Sequence, residues 1–208
     1  MDFIDSIPSK SRHLNYIPDL DIVLYDSVMT PGVASQLYDR LEAEIIYLTG
    51  RESCITIYNR TIPIPRHHVA HGDYGLVYAF SGLTLPTKPW TPLLSSVKAY
   101  VEKILEEKFN YVLINKYDNG THYVSHHADD EPNLDPLAPI ATISLGATRH
   151  FNLKHKVYGE QYCMTVNLKH GSLLIMNFPT NRHYKHSILR KPAILEPRIS
   201  LTFRRMLV

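Results

Sequence analysis

Two cysteines, Cys54 and Cys163, in 208 residues are too few for a disulfide framework. Both fall in segments patterned as strands, so they read as reduced, packed thiols. No apolar run approaches the length of a bilayer span, and the initial Met-Asp-Phe-Ile-Asp lacks the basic-then-apolar order of a secretory leader. A soluble, intracellular protein is expected. Net charge is only +2, which gives no global electrostatic case for a nucleic-acid partner. There is no composition break, internal repeat, low-complexity tract or heptad run, which leaves one well-buried domain as the expectation.

What is present is patterned. Residues 1–20 are polar, hold two prolines and show no period, so they read as an arm that is flexible in part. Thr30-Pro31 and Thr91-Pro92 are each a cap followed by proline at the first helical position. After the first, Val33, Leu37, Leu41, Ile45 and Leu48 recur at helical spacing up to Gly50. After the second, Leu94, Val97, Val101, Ile104 and Leu105 do so until near Phe109. Two helices should therefore back a sheet. The remainder reads as strand. Cys54–Tyr58 and Thr61–Ile64 form a hairpin kept at an edge by its prolines. Further strands are expected at 111–117, 140–146, 149–156, 161–168, 172–176 and 198–206. Many short strands with turn signals between them predict a sandwich or jelly roll with flanking helices.

Chemistry concentrates in the second half. His127 and Asp129 form an H-x-D step, and His186 is a candidate third ligand. Two imidazoles and one carboxylate occupy one face of an octahedral ion and leave positions open for a co-substrate and oxygen, which suits non-haem Fe(II). H-x-D alone is a motif that a chain with twelve histidines meets by chance. The segment from Arg198 to Arg204 adds two guanidiniums six residues apart on an alternating strand, hence on one face, where they can hold a carboxylate without losing charge. Between Arg182 and Arg205 seven basic residues stand against one acid, Glu196. Of these, Arg182, Lys185, Arg190 and Lys191 are candidates for phosphate contact. Singly, each of these residues also has a plain structural reading: a surface-loop histidine, a solvated acidic turn, a packed strand histidine, exposed charges.

Taken in order, Asn115-Lys116-Tyr117, His127-Ala128-Asp129-Asp130-Glu131, Ser144-Leu145-Gly146-Ala147 with Arg149, His170 through Asn177, Pro179-Thr180-Asn181, His186-Ser187 and Pro197 through Arg204 resemble the AlkB family of Fe(II)- and 2-oxoglutarate-dependent dioxygenases. Upstream, Gly72-Asp73, Tyr78 through Leu85 and Lys88-Pro89-Trp90 resemble the nucleotide-recognition lid of the family's duplex-DNA repair branch. The resemblance runs from about Asp21 to the C-terminus. It implies a mainly β fold with flanking helices (α+β), a double-stranded β-helix over about 111–208 and a lid over about 51–90, together one domain over 21–208.

The resemblance further implies Fe(II) on His127, Asp129 and His186. It places 2-oxoglutarate with its far carboxylate on Arg204, and Arg198, Asn115 and Tyr117 completing the pocket. Oxygen would take the remaining position. The implied reaction is oxidative removal of methyl groups from 1-methyladenine and 3-methylcytosine, with the base flipped out of the stack. Phe80 and His127 would sandwich the base, Tyr78, Asp130 and Glu131 would face its polar edge, Tyr58 would wedge into the gap, and Arg66 would sit on the DNA-facing lid. Acidic partners suit these lesions because they are cationic. Two departures bear on strand preference: Lys156 through Gln161 is short and barely charged where the duplex-repair branch has a long basic loop, and Ala128 stands between the ligands. A DNA demethylase is the leading expectation, monomeric and nuclear if the source is eukaryotic. An RNA or single-strand demethylase is the near alternative, and a nucleic-acid-binding module without turnover the third. A protein or small-molecule hydroxylase would have no use for the wedge hairpin.

Overall fold

A computed structural model describes residues 10–57, 60–80, 83–129, 131 and 133–207, except the side chains of residues 57, 78, 80 and 83. In chain order the elements are β1 (Ser11–Leu14), β2 (Ile22–Tyr25), α1 (Pro31–Glu44), β3 (Cys54–Ile57), β4 (Arg60–Pro63), β5 (His67–Gly72), β6 (Val77–Phe80), β7 (Leu83–Pro86), α2 (Pro92–Leu105), β8 (Tyr111–Tyr117), β9 (Val124–His127), β10 (Ile140–Gly146), β11 (Arg149–His155), β12 (Gly159–Leu168), β13 (Ser172–Met176), α3 (Thr180–His183), β14 (Tyr184–Ile188) and β15 (Arg198–Arg204). A seven-stranded sheet has the order β1-β2-β13-β10-β15-β8-β5, and a four-stranded sheet the order β12-β11-β14-β9. The pairings within both are antiparallel. Hairpins β3–β4 and β6–β7 stand as separate two-stranded sheets.

The large sheet is covered on both faces. Leu37, Leu41, Leu94, Val97 and Val101 from the two helices pack on Val112, Ile114, Ile143, Ile199, Leu201 and Phe203. On the other side Leu24, Tyr117, Ile140 and Met176 meet Phe151, Leu153, Leu168, Tyr184 and Ile188 of the small sheet. That double burial explains why β13 is apolar without alternation. Strand β15 does alternate: Ile199, Leu201 and Phe203 face the helices, while Arg198, Ser200, Thr202 and Arg204 line a cavity between the sheets. One strand thus carries core on one face and chemistry on the other.

Several expectations need correction. Helix α1 stops at Glu44, not near Gly50. Ile45 and Leu48 keep the helical period only in sequence; Ile45 is extended, and the Leu48 N–H bonds the His68 carbonyl at 3.0 Å. Pairing with β5 has overridden the helix. Helix α2 ends at Leu105, where Glu106 turns left-handed (φ 56°), and Phe109 is buried in the run to β8. Within the expected arm, residues 11–14 form an edge strand paired to β2, from Ser11↔Tyr25 to Leu14↔Ile22. Its largely exposed side chains leave no apolar pattern to read. Cys163 is exposed and Cys54 partly so, since each sits on a sparsely covered strand; neither is a packed thiol. Among the described residues no helix is long and apolar enough to cross a membrane.

Candidate metal centre and substrate cleft

His186 lies mid-strand on β14 and pairs in register with His127, the last residue of β9. The chain then turns so that Asp129 reaches both. His127 Nε2 and His186 Nε2 stand 3.6 and 3.7 Å from Asp129 Oδ1, and the two imidazole centroids are 4.3 Å apart. Adjacent ligands of an octahedral ion with bonds of about 2.1 Å need a spacing of roughly 3 Å, so a small inward movement would close the set. The Nδ1 of His127 lies 2.9 Å from the Ser125 carbonyl. Donating there leaves the Nε2 lone pair free for an ion. His186 is buried and its ring stacks on Phe151 at 5.1 Å. Burial pushes its pKa down to about 3, so it is a neutral imidazole at working pH. Burial pushes the Asp129 carboxyl up, but Arg204, His186 and His127 together outweigh it and hold the group below its usual range. A neutral His186 and an ionised Asp129 are the protonation states that a divalent ion requires.

Sequence reasoning gave Asn181 no role, although it stands in one of the quoted motifs. Its Oδ1 accepts the Asp129 N–H at 3.0 Å and its Nδ2 donates to the Asp129 carbonyl at 2.7 Å. Helix α3 is in turn capped by Lys156, whose Nζ donates to the Asn181 and Arg182 carbonyls. An asparagine 52 residues from its partner offers no local signal.

Behind the cluster is a cavity of about 60 Å³ lined by Asn115, Tyr117, Arg198, Ser200 and Arg204 among others. Register brings them together: Arg198 opposes Tyr117, and Ser200 opposes Asn115. Arg198 donates to Ser144 Oγ at 2.9 Å and lies 5.2 Å from the Tyr117 ring centroid; Arg149 approaches the same ring at 5.4 Å. Burial lowers the Arg198 pKa to about 10, which leaves it cationic. Its Nε and Nη1 have no protein partner among the described residues. A buried guanidinium with unused donors on two of its nitrogens in a chamber is a fit for an anion such as a dicarboxylate. Arg204 is placed differently. Its Nη2 lies 2.7 Å from Asp129 Oδ2 and its Nη1 2.5 Å from Glu131 Oε1, so it sits at the metal end of the chamber.

In front of the cluster opens a cleft of about 520 Å³, lined by Ile55, residues 62–66, Ala79, residues 123–129, Glu131 and Arg204. Hairpins β3–β4 and β6–β7 contribute Ile55, Ile62 and Ala79. Arg66 lines both the cleft and the chamber, with Nε donating to Asn115 Oδ1 at 2.8 Å. Glu131 is engaged by Arg204. Tyr58 and Asp130 lie outside the described residues, as do the side chains of Tyr78 and Phe80. None of Arg182, Lys185, Arg190 and Lys191 lines this cleft.

The 2OG-Fe(II) oxygenase superfamily model matches residues 27–204. The chain is 41% identical over 190 residues to the human DNA oxidative demethylase ALKBH2, covering 88% of this chain and 73% of that one. It is 36% identical over 152 residues to the mouse alpha-ketoglutarate-dependent dioxygenase alkB homolog 3, covering 69% of this chain and 52% of that one. The structure of OsALKBH1 superposes with a TM-score of 0.61 at 18% identity, covering 93% of this chain and all of that one, which shows a shared fold. The chain belongs to the AlkB family of the 2OG-Fe(II) oxygenase superfamily and is an Fe(II)- and 2-oxoglutarate-dependent dioxygenase.

Proposed function

We propose that this protein is a DNA oxidative demethylase that reverses N-alkyl damage on bases such as 1-methyladenine and 3-methylcytosine. The observation that carries the reading is the position of the His127, Asp129 and His186 cluster. It stands where a small cationic chamber and a large open cleft meet. Relatives covering most of the chain at about 41% identity bear the name DNA oxidative demethylase.

His127, Asp129 and His186 would hold Fe(II). Bound iron, 2-oxoglutarate and oxygen supply the oxidising power to hydroxylate the N-methyl carbon, with succinate, carbon dioxide and finally formaldehyde as products. The protein's own work is positional. Asn181 fixes the backbone of the carboxylate ligand from both sides, and Ser125 sets the tautomer of His127. The two arginines would take the order opposite to that expected from resemblance. Arg198, deep and with unused donors, suits the far carboxylate, with Tyr117 and Asn115 beside it. Arg204, on Asp129, suits the near one. The chamber's apolar lining from Leu168, Met176 and Ile188 excludes water around that carboxylate.

The cleft takes the flipped base, with Tyr78 and Phe80 on β6, and Asp130 and Glu131 beside the metal ligands, as its partners. A cationic lesion gains from carboxylates that a neutral base does not need. Tyr58, at the β3–β4 tip, fills the gap left in the duplex. Residues 51–90 act as the lid of one domain over 21–208, and the enzyme works as a monomer, in the nucleus where its cell has one. One feature favours a second reading, repair of single strands or RNA. The β11–β12 turn is short, and Lys154 beside it is spent on Glu160 at 2.5 Å, so little charge is offered to a complementary strand. The experiment is repair of 3-methylcytosine in matched single-stranded DNA, duplex DNA and RNA, with Fe(II), 2-oxoglutarate and oxygen. Faster repair of a duplex substrate supports the first reading. Repair of single strands or RNA alone replaces it with the second, and iron binding without repair of any of them rejects both and leaves a binding module.

A further inference from the structure

Strand β11 opens on a charge where its period calls for core. Its inward positions are Arg149, Phe151, Leu153 and His155, all buried, and Phe151 and Leu153 pack against the large sheet. Among the described residues the arginines in ion pairs are Arg12, Arg40, Arg204 and Arg205, so neither Arg149 nor Arg198 has a carboxylate. Arg149 Nη1 donates to the Asn119 carbonyl at 3.3 Å, and Nη2 to the His122 and Leu189 carbonyls at 2.8 and 2.9 Å. Those carbonyls, from the β8–β9 and β14–β15 connections, hold the guanidinium over the Tyr117 ring, 5.4 Å from its centroid, with Arg198 5.2 Å from the same centroid. The ring thus meets one cation from each sheet. The β10–β11 turn enforces the meeting. Gly146 is left-handed (φ 83°), a Cβ on it would collide with the Pro197 carbonyl, and the Ala147 N–H bonds that carbonyl at 2.8 Å. The turn leading into Arg149 is thereby seated on the residue before Arg198.

We propose that Arg149 is a positioning residue for 2-oxoglutarate: by holding the Tyr117 ring it presents the Tyr117 hydroxyl and Arg198 to the far carboxylate, and so makes the chamber selective for a dicarboxylic 2-oxo acid. The inference rests on the proposed seating of that carboxylate on Arg198. Tyr117 and Arg198 line the chamber and Arg149 does not, so Arg149 acts through them. Three observations separate this role from that of a loop staple. A staple needs donors only, whereas a cation taken out of water without a carboxylate is costly unless a π face or an anion answers it. Burial first, and in smaller part the Arg149 charge, lower the Arg198 pKa, so the two guanidiniums feel one another. A carboxylate brought to Arg198 relieves that repulsion, and an uncharged end group does not. Finally, Arg149 Nε is buried with no partner among the described residues, so one donor is left unmet where the guanidinium lies over the ring.

The test is equilibrium binding to the Mn(II)-loaded full chain without oxygen, read by calorimetry. The ligands are 2-oxoglutarate and 2-oxopentanoate, which keeps the chelating end and lacks the far carboxylate. Arg149→Lys keeps a charge but not the planar fork. It is expected to weaken 2-oxoglutarate about tenfold, the size of a desolvated cation–π contact, and to leave 2-oxopentanoate and Mn(II) binding unchanged. Tyr117→Phe should weaken 2-oxoglutarate as well, and the double variant should lose clearly less than the product of the two single losses. Equal losses on both ligands, or losses that multiply, would overturn the proposal and leave a loop staple. Should Arg149→Lys fail to fold, Tyr117→Leu removes the ring while every Arg149 carbonyl bond stays possible. It should lower the preference for 2-oxoglutarate over 2-oxopentanoate, and an unchanged preference would also overturn the proposal. Unchanged 2-oxoglutarate binding in Arg198→Met is the separate sign that the far carboxylate lies elsewhere, in which case the reading of the chamber itself falls.

Discussion

His186 and Ile55 face connected cavities but are supported in opposite ways. His186 sits inside a four-stranded sheet, is buried, and stacks on Phe151 above a core shared with the large sheet. Ile55 sits on a two-stranded hairpin whose partner strand, Arg60–Pro63, is exposed throughout. Under the proposed function the first region holds three ligand atoms and two guanidiniums in place, and it is tied through both sheets. Under the proposed function the second receives a polymer, and among the described residues each of its hairpins forms a separate two-stranded sheet. The proposed chemistry thus falls on the part of the fold with the most packing around it, and the proposed recognition on the part with the least.

The strongest way to break this contrast is at the rigid end. Asp129→Ala is expected to abolish iron-dependent succinate formation, a loss of more than about a thousandfold, because it removes a ligand and strands Arg204 as a buried, half-paired charge. Retained turnover would remove Asp129 from the metal set. Next in size, Arg198→Met should raise the KM for 2-oxoglutarate by roughly 10- to 100-fold, the worth of one or two charge-assisted hydrogen bonds, with a smaller change in kcat. An unchanged KM would return the far carboxylate to Arg204. Asn181→Ala should weaken Fe(II) or Mn(II) binding by about tenfold while the melting temperature moves little, since the side chain orients Asp129 rather than filling core. A large melting shift at unchanged metal affinity would make its role structural. At the loose end, Tyr58→Ala should lower repair of duplex substrates by about tenfold and spare single strands, as expected for the loss of one stacking contact. Equal losses on both would remove the wedge from the mechanism.

How much was legible can be seen residue by residue. Strands β8, β10 and β13 match their expected bounds because apolar runs between turn residues leave few alternatives. Strands β5 and β14, His-His-Val-Ala-His-Gly and Tyr-Lys-His-Ser-Ile, carry too many polar side chains to show a strand period, and both lie where function needs polarity on a sheet. The clustered residues His127, Asp129 and His186 were visible as types and order. The difference in depth between Arg198 and Arg204 was not, because alternation puts both on one face and says nothing of depth.

By itself the sequence determined the class of fold, the two capped helices, the candidate ligands and the chemistry that two histidines, an aspartate and paired arginines can support. These follow from local propensity, period and side-chain type, which act within a few residues. Tertiary structure alone decided that Asn181 holds Asp129 across 52 residues, that Arg198 is the deep guanidinium and Arg204 the near one, and that Arg149 meets the Tyr117 ring. Those contacts depend on strand register and sheet order, which are set by how the whole chain buries its apolar faces and carry no signature in the segments that meet.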